Sequence, residues 1–567
     1  MSEHDEVICG LKLTHDGAHA LIRGDRLLWS VEEEKVGNRR RHARLTDLSG
    51  VVAELERHGL GIGDIDAISV DGWVQSGDGR TAAEIELPDG GRQMIDLAGY
   101  AVIAEPGNPL PAHPRTTGSG LPLGSKTFDY SSYPHATGHA FAGYSTSPYA
   151  AADRAALILV WDGGMPATLY RFDPATPALH SLGVVVPIVG ALYPIFASLF
   201  PPFGVPADER RRLGGLGDFA QLEALLPVSG KAMAYASLAP ASEEAITVMT
   251  ELAESMLPIG ITGAFLWSHQ ARRRLAPLRL SDAAILASFQ EFLFRLLLRG
   301  LRTGPGAAYV RAGEPLCLSG GCALNIKWNS GLRASGDFSD VWVPPFPNDA
   351  GSAIGTACAE LFRRTGRAAL RWSVFDGPEL VDSPVPPGWT GRPCSVAELA
   401  ELLHRTGEPV VVVDGRAELG PRALGHRSII APAHDPAMKD RLNEIKLRES
   451  YRPVAPICLE ERAPEVFDPG TPDPYMLFEH HIRPGWRDRV PAVVHADGSA
   501  RLQTVGPAHP LLFELLTAYE RHSGIPVLCN TSANHPGRGF FPDAASAMRW
   551  GGVPRVWSRG RLYTADR

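Results

Sequence analysis

Lysine is scarce in this chain: only 7 of its 55 basic residues are lysine. Basic charge is also outnumbered, because 63 acidic residues leave a formal net charge of −8. A protein that coats nucleic acid carries a basic footprint, so this balance argues against that class and predicts no nucleic-acid partner. The same scarcity marks each lysine in a polar motif as a position of interest.

Cysteine is equally sparse, and its pattern excludes two further classes. The 7 cysteines are scattered and form neither a CxxC pair nor a Cys/His metal pattern. This argues against a disulfide framework and against a structural zinc site. The first residues, MSEHDEV, are acidic and unlike a signal peptide. We therefore expect buried thiols and a cytoplasmic protein.

One stretch, residues 181–207, has no charge at all. A spanning helix needs about 20 predominantly apolar residues, and proline breaks a helix interior. The stretch predicts a buried strand and loop that line a cleft, and no membrane contact. Five prolines interrupt it, namely Pro187, Pro194, Pro201, Pro202 and Pro206.

One succession of predicted elements occurs twice, at 7–35 and at 155–186: a strand, then a turn with aspartate and glycine, then a hairpin. The repeat suggests a duplicated α/β core with its ligand cleft at the carboxyl ends of the strands. Residues 282–303 have helical apolar spacing and predict a long amphipathic helix. Proline and glycine concentrate around 366–395, which marks a domain boundary. The predicted domains are 1–375 and 390–567.

The phrase YPHATGHAFAGY places His135 and His139 four residues apart, on one face of a helix. This spacing can chelate a divalent metal, although a helix with two partly buried histidines also fits it. Asp162 ends an apolar strand and Asp349 precedes a helix N-terminus, so both are candidate carboxylate ligands; each can equally be a turn or cap residue. Two histidines with a carboxylate suit iron(II), manganese or zinc.

A second constellation is basic: eight basic and five acidic residues lie between Arg416 and Arg452, an excess of three. Arginine forks match phosphate oxygens bidentately, so we predict a pocket for a triphosphate or a phosphorylated small molecule. A salt-bridged surface is the alternative. The candidate contacts here and in the later phrases RLQTVGP and IPVLCNTSANHPG are Arg422, Lys446, Arg448, Arg452, Arg501, Asn530, Thr531 and Ser532.

A glycine pair follows the apolar strand in LSGGCALN. Glycine lets a ligand approach the backbone closely, so Gly320, Gly321 and Asn325 are candidate nucleoside contacts. A plain tight turn is the alternative.

Taken together, these phrases resemble the O-carbamoyltransferase family of nodulation-factor and antibiotic-tailoring enzymes. The resemblance covers nearly the whole chain. It implies an α/β protein with a duplicated actin-like (Kae/TsaD-like) N-terminal domain and a YrdC-like α/β C-terminal domain. The shared phrases, in the family's order, are HDG, HATGHA, WDGG, SGGCALN, NDAGSAIGTA, GPRALGHRS, KLRESYRPVAP, LQTV and NTSAN.

The resemblance also implies the reaction. The YrdC-like domain would form carbamoyl-adenylate from carbamoyl phosphate and ATP with Mg²⁺, and the other domain would transfer the carbamoyl group to a hydroxyl acceptor. By motif match, His15 is the candidate general base. A divalent metal, Fe²⁺ by this resemblance, would be bound by His135, His139, Asp162 and Asp349. The implied phosphate and nucleotide contacts are Lys446, Arg452, Arg501, Asn530 and Ser532.

The acceptor is not specified by any segment. A sugar hydroxyl of a glycosylated polyketide or an aminoglycoside is one expectation, and an oligosaccharide signal or a β-lactam precursor is the other. A sugar kinase on the actin-like fold, a tRNA threonylcarbamoyl-adenosine-type enzyme and a non-enzymatic metal and nucleotide sensor stay open as other classes. A homodimer is one option for the oligomeric state.

The chain departs from the family pattern at several positions. HDGAH adds a second histidine, His19, which we expect near the mouth of the cleft. Ala533 replaces an aromatic residue, and GRG at 537–539 replaces an acidic phrase. These changes predict altered contacts around 533–539.

Overall fold

The computed structural model describes residues 5–36, 42–74, 81–87, 89–101, 115–204, 222 and 224–566. Its contacts divide the chain into two compact units. The first comprises Met1–Gly99, His113–Ala151 and Pro344–Arg567, and the second comprises Tyr100–Ala112 and Ala152–Val343. The predicted boundary between 375 and 390 stays a prediction.

A six-stranded sheet with the order β3-β2-β1-β4-β8-β7 forms the N-terminal part of the first unit. Strands β1 to β3 are antiparallel, whereas β1, β4 and β8 are parallel. Strands β5 and β6 form a separate hairpin. The strands are β1 Val7–Lys12, β2 Ala18–Arg23, β3 Arg26–Glu32, β4 Ala67–Asp71, β5 Ala82–Glu86, β6 Arg92–Asp96, β7 Thr116–Leu123 and β8 Lys126–Tyr133.

The helix Ser352–Thr365 packs on this sheet and on the helix His135–Ser145. Their close approach depends on Gly355, where a Cβ atom would overlap the carbonyl oxygen of Gly138. The remaining helices of this part are Ser49–Arg57 and Pro148–Ala151, and 3-10 turns lie at Glu33–Lys35, Ile62–Asp64 and Asp349–Gly351.

The prediction that His19 lies near the mouth of the cleft is wrong. The side chain is buried on β2. All but the last residue of β2 are buried, so strand alternation does not bring this histidine to solvent. Its Nδ1 accepts a hydrogen bond from Nε1 of Trp29 at 3.2 Å. Burial lowers the pKa of His19 to about 4.

The second unit contains a five-stranded sheet with the order β11-β10-β9-β12-β13. Strands β9 to β11 are antiparallel, and β9, β12 and β13 are parallel. This is the same arrangement as β3-β2-β1-β4-β8, so the repeated order in the sequence corresponds to repeated strand topology. The strands are β9 Ala156–Val160, β10 Pro166–Asp173, β11 Ala178–Val189, β12 Leu316–Ser319 and β13 Val341–Trp342.

The predicted amphipathic helix at 282–303 is confirmed as Asp282–Thr303, and its first turn is capped by the Ser281 side chain. The segment predicted as a buried strand and loop contains the end of β11 and then a short helix; its residues beyond 204 lie outside the described residues. The other helices of this unit are Leu192–Ala197, Val228–Ala236, Glu243–Glu254, Ile261–Leu275, Ala307–Arg311 and Ile326–Ala334, with 3-10 turns at Ala276–Leu278 and Gly321–Leu324.

The C-terminal part of the first unit contains an eight-stranded mixed sheet with the order β14-β24-β23-β15-β16-β22-β17-β21. Strands β18, β19 and β20 form a small antiparallel sheet. The strands are β14 Trp389–Pro393, β15 Val410–Val413, β16 Arg427–Pro432, β17 Ala455–Leu459, β18 Phe467–Asp468, β19 His480–Ile482, β20 Ser499–Ala500, β21 Gln503–Val505, β22 Val527–Ser532, β23 Arg555–Ser558 and β24 Arg561–Ala565.

Both faces of this sheet are covered, which explains the run of four valines in β15. Alternation places Val410 and Val412 in one hydrophobic core and Val411 and Val413 in another. Within the described residues, no helix is long and apolar enough to cross a membrane. The helices here are Val396–Thr406, Ala437–Ile445, Ala463–Val466, Pro510–Ser523 and Ala544–Trp550, with 3-10 turns at Glu460–Arg462, Pro484–Trp486 and Pro491–Val493.

Candidate functional site

The carboxyl ends of three parallel strands bring polar side chains together in the first unit. Lys12 is the last residue of β1 and Asp71 the last of β4, and His135 follows β8 by two residues. Because parallel strands end at the same edge of a sheet, ligand sites form there. Asp349 joins them from the turn that precedes the helix Ser352–Thr365.

Three of the predicted metal ligands, His135, His139 and Asp349, direct donor atoms at one another. The Nε2 atoms of the two histidines lie 3.0 Å apart. Oδ1 of Asp349 lies 3.4 Å from Nε2 of His135 and 3.6 Å from Nε2 of His139. Donor atoms bound to one ion at about 2.0–2.2 Å lie roughly 2.8–3.1 Å apart in octahedral and roughly 3.3–3.6 Å apart in tetrahedral coordination. All three residues are buried, so their chemistry and spacing fit a divalent metal ion.

Two further charged residues, Lys12 and Asp71, contact these predicted ligands. Oδ2 of Asp71 lies 2.7 Å from Nδ1 of His135 and 2.9 Å from Nζ of Lys12, which also lies 3.1 Å from Oδ2 of Asp349. When Nδ1 of His135 donates to Asp71, its Nε2 is left with a lone pair, as in metal-bound histidines. Burial alone would raise the pKa of Asp349, but attraction to Lys12, His135 and His15 outweighs it and holds the pKa well below its usual range.

His15 lies in the turn between β1 and β2, at the edge of this cluster. Its Nδ1 lies 3.1 Å from Oδ2 of Asp16, and its Nε2 lies 3.6 Å from Oδ2 of Asp349. Burial would lower the pKa of His15, but Asp349 and Asp16 outweigh it and raise the pKa above its ordinary value. The pair of His15 and Asp16 therefore has the arrangement of an oriented base: a carboxylate fixes one ring nitrogen and leaves the other for proton transfer.

The fourth predicted ligand, Asp162, belongs to the second unit and follows β9. Its Oδ2 accepts a hydrogen bond from the hydroxyl of Tyr100 at 2.5 Å, and its Oδ1 accepts one from the backbone N–H of Gly321 at 2.6 Å. Gly320 has a φ of 88°, and a Cβ atom there would overlap the carbonyl oxygen of Trp161. Glycine at position 320 is therefore required by the packing of two strand ends, whatever the turn binds.

Asn325, the third candidate nucleoside contact, is buried. Its Oδ1 accepts a hydrogen bond from the N–H of Trp328 at 3.3 Å, which caps the helix Ile326–Ala334, and another from Nε2 of Gln290 at 2.9 Å. Its role as a nucleoside contact stays a prediction.

Three arginines of the predicted polyanion pocket lie close together. The pKa of Arg501 is held well below its ordinary value, first by burial and then by the guanidinium groups of Arg422 and Arg452, with only Asp473 acting against them. Nε of Arg501 is buried and has no hydrogen-bond partner among the described residues. Like charges that repel in a buried place are a feature of sites that bind an anion.

Lys446, another predicted contact, is bound to the segment that follows β22. Its Nζ donates to the carbonyl oxygens of Ser532 and Asn534, both at 2.7 Å, and to Oδ1 of Asn534 at 2.6 Å. Arg448 donates to the Thr531 hydroxyl at 3.0 Å. Since an ammonium group has three N–H donors, Lys446 fixes the turn that follows β22.

Other members of the basic run serve the fold. Arg416 donates to the carbonyl oxygen of Leu28 at 2.8 Å, Arg427 donates to that of Gly415 at 3.0 Å, and Arg441 pairs with Glu408. The excess positive charge in the sequence therefore overstates the charge available to a ligand. Asn530 is buried next to Arg422, where its Nδ2 donates to the carbonyl oxygen of Ala423 at 2.9 Å.

Comparison with known proteins gives the family. The carbamoyltransferase N-terminus profile matches residues 7–358, and the carbamoyltransferase C-terminus profile matches residues 400–551. Nodulation protein U of Rhizobium tropici is 44% identical over 99% of this chain and 96% of its own length. The 3'-hydroxymethylcephem-O-carbamoyltransferase of Streptomyces clavuligerus is 32% identical over 96% of each chain. The chain belongs to the O-carbamoyltransferase family. It also matches nodulation protein U of Bradyrhizobium diazoefficiens, at 44% identity over 98% of this chain and 97% of that protein.

Sequence reasoning missed two residues of this O-carbamoyltransferase site, Lys12 and Asp71. One signal for Lys12 is its place as one of only seven lysines, at the end of an apolar strand. One signal for Asp71 is the phrase SVDGW, in which an aspartate and a glycine end a strand as they do in WDGG.

Proposed function

We propose that this O-carbamoyltransferase activates carbamoyl phosphate with ATP at the cluster of Arg422, Arg452 and Arg501. Carbamoyl phosphate, ATP and one water would give carbamoyl-adenylate, phosphate and pyrophosphate. The observation that carries the proposal is the buried Nε of Arg501, which has no hydrogen-bond partner among the described residues and is subject to repulsion by Arg422 and Arg452. Two polyanionic substrates would remove that repulsion, because fixed cations stabilise phosphate charge strongly where water is excluded.

We propose transfer of the carbamoyl group to an acceptor hydroxyl as the second step, with His15 as the base. His15 would take the hydroxyl proton on Nε2 while Asp16 holds Nδ1, and AMP would leave as the new C–O bond forms. A neutral alcohol is a weak nucleophile, and histidine is the side chain that most often removes such a proton in enzymes. The position of His15 beside Asp349, at 3.6 Å, supports this role.

His135, His139 and Asp349 would hold a divalent metal near His15, and Fe²⁺, manganese and zinc all suit this donor set. Such an ion, when bound, polarises a carbonyl oxygen or neutralises a phosphate oxygen. Lys12 and Asp71 would keep the two partners of the ion, Asp349 and His135, in orientation. Asp162 stays a ligand predicted from the sequence.

We propose the finer fold assignment on the same basis. The repeated order of three antiparallel and two parallel strands supports an actin-like duplicated core. The eight-stranded mixed sheet, in which Arg422 lies on the loop between β15 and β16, supports a YrdC-like C-terminal part. The acceptor would be a hydroxyl of a natural product. The names of the relatives favour a nodulation signal or a cephem as the acceptor. A glycosylated polyketide and an aminoglycoside are the other candidate acceptors to assay.

One assay tests the proposal. The protein is incubated with carbamoyl phosphate, ATP, Mg²⁺ and Fe²⁺, and pyrophosphate, AMP and ADP are measured with and without each acceptor. We expect pyrophosphate that depends on carbamoyl phosphate, and a carbamoylated product with one acceptor class. ADP formation would favour a kinase instead, and no nucleotide turnover with any acceptor would contradict an activating enzyme.

A further inference from the structure

Two buried charged residues far from the basic run in sequence contact the loop that carries Arg422. Nζ of Lys35 donates to Oε1 of Glu32 at 2.7 Å and to the carbonyl oxygen of Gly420 at 2.8 Å, and it also donates to that of Glu418. Oε1 of Glu32 accepts a hydrogen bond from the N–H of Gly420 at 2.7 Å. Both polar backbone groups of Gly420 are thus bound by one ion pair that is itself buried.

The loop that this ion pair contacts, residues 418–425, is held together by hydrogen bonds to its first residue, Glu418. The Glu418 carboxylate accepts hydrogen bonds from the N–H groups of Leu424 at 2.7 Å, His426 at 2.8 Å and Arg427 at 3.0 Å. Gly420 has a φ of 82°, and a Cβ atom there would overlap the carbonyl oxygen of Pro345. A displacement at Gly420 is therefore transmitted to the rest of the loop rather than absorbed within it.

Lys35 belongs to the 3-10 turn Glu33–Lys35, and this turn also contacts the segment 534–540. A Cβ atom at Gly539 would overlap the carbonyl oxygen of Glu34, and Nζ of Lys35 lies 5.1 Å from the centre of the Phe540 ring. Phe540 pairs with Asn534 in an isolated bridge, and Asn534 is the residue that accepts two hydrogen bonds from Lys446. The turn thus lies against both the loop 418–425 and the segment 534–540.

We infer that Glu32 and Lys35 are positioning residues for the activation site. They fix the loop 418–425, which bears Arg422, relative to the segment 534–540, to which Lys446 is bound. The inference rests on the proposed activation of carbamoyl phosphate and ATP. Neither side chain needs to touch substrate, because their effect passes through the backbone of Gly420. A shift of about 1 Å in a positioned group can cost on the order of 100-fold. A displaced Arg422 would bind the substrate phosphates less tightly, so the loss should appear in KM. The contact of the turn with the segment 534–540 also accounts for glycine at 539, where any side chain would collide with the turn.

The test compares Lys35→Met, which keeps chain length and removes the charge, with Arg371→Ala. Arg371 is exposed and holds Asp25 at 2.9 Å at the other end of the same hairpin, so it is a matched control that leaves the loop 418–425 untouched. We expect Lys35→Met to raise the KM for carbamoyl phosphate or ATP in pyrophosphate release by about 10- to 100-fold. We expect kcat to change less than KM, bound metal to be unchanged, and Arg371→Ala to behave as wild type.

A double-mutant cycle makes the test specific. If Lys35 acts through the loop of Arg422, then Lys35→Met added to Arg422→Met should cost much less than Lys35→Met alone, because coupled residues are not additive. Lys35→Arg should restore part of the wild-type KM. Unchanged KM values in a folded Lys35→Met protein, or full additivity with Arg422→Met, would overturn the inference.

Two further outcomes are kept apart. Wild-type protein that releases no pyrophosphate would contradict the proposed function itself, whereas active wild type with an unaffected Lys35→Met contradicts only this inference. Should Lys35→Met not fold, Glu32→Gln is measured in its place, since it keeps an acceptor for Gly420 and loses only the charge. We expect its KM to rise by about 3- to 10-fold, and an unchanged KM would overturn the inference as well.

Discussion

Nδ1 of His135 lies 2.7 Å from Oδ2 of Asp71, a residue 64 positions earlier in the chain. Both side chains are buried, and the same carboxylate oxygen lies 2.9 Å from Nζ of Lys12. A histidine that binds metal through Nε2 commonly donates its other N–H to a carboxylate, which fixes the ring and increases its basicity. Asp71 stands in this relation to His135.

The first prediction concerns that carboxylate. Asp71→Asn keeps the side-chain volume but removes the negative charge beside His135, so metal affinity should fall by about 10- to 100-fold. Metal retained against a chelator series measures this directly, without any activity assay. Asp173→Asn is the matched control, because Asp173 pairs with Arg171 in the second unit; equal retention by both variants would contradict the assignment of Asp71.

The second prediction concerns Arg501, whose Nε is buried and whose charge is repelled by Arg422 and Arg452. Replacing Arg501 with an apolar side chain of similar length removes both the cost of desolvating its charge and its repulsion by the two neighbouring guanidinium groups. Arg501→Met should therefore unfold at a higher urea concentration than wild type and yet release no pyrophosphate. ATP should raise the melting temperature of the wild type and leave that of the variant unchanged.

Arg171→Met serves as the control for this stability gain. Arg171 is bound by Glu314 through two hydrogen bonds at 2.9 Å, so its removal should lower the free energy of unfolding. If Arg501→Met is destabilised as Arg171→Met is, the three arginines do not form a site that binds an anion at a cost in stability.

The third prediction concerns pH and His19, whose Nδ1 accepts a hydrogen bond from Trp29. Its pKa is lowered from 6.5 to about 4 by burial. Above pH 6.5 the ring is neutral in both states and contributes nothing. Below that pH the unfolded chain binds a proton that the folded ring excludes, so the free energy of unfolding falls as pH falls towards 4, by about 2–3 kcal/mol at pH 4.5.

Urea denaturation at pH 7 and pH 4.5 measures this effect. His19→Gln keeps an acceptor for Trp29 but does not titrate, so its stability relative to wild type should rise by about 2–3 kcal/mol between the two pH values. His404→Gln, at an exposed position, should show no such change. Parallel pH dependence in all three proteins would show that other groups control acid unfolding.

Periodicity and local phrases account for what could be predicted. The apolar spacing of 282–303 specifies a helix, and the i, i+4 spacing of His135 and His139 specifies one face, as found. The basic run supplied Arg422 and Arg452, and the later phrase RLQTVGP supplied Arg501, whose pKa both of them lower. These features depend on residues close in sequence, or on chemistry that any fold must satisfy.

Long-range polar contacts could not be predicted in the same way. The Lys12 to Asp71 pair depends on β1 lying parallel to β4, and the Lys35 to Gly420 contact joins residues 385 positions apart. Neither strand order nor such a distant contact has a signature in local spacing. The hydrogen bonds from Lys446 to Ser532 and Asn534 are likewise not indicated by its charge alone, and its role as a phosphate contact stays a prediction.

The final prediction separates the two proposed steps by their residues. Lys446→Ala removes hydrogen bonds to the turn after β22 and should slow pyrophosphate release by roughly 10- to 100-fold, at about 1.5–3 kcal/mol for a charged hydrogen bond. His135→Ala should lose metal and carbamoyl transfer but retain pyrophosphate release. His15→Ala should keep both metal and pyrophosphate release and slow transfer by about 10²–10⁴-fold, the contribution expected of a general base. Metal content, pyrophosphate and carbamoylated acceptor are measured on all three folded variants. If His135→Ala loses pyrophosphate release as severely as Lys446→Ala does, the steps are not divided in this way, and His135 belongs to activation.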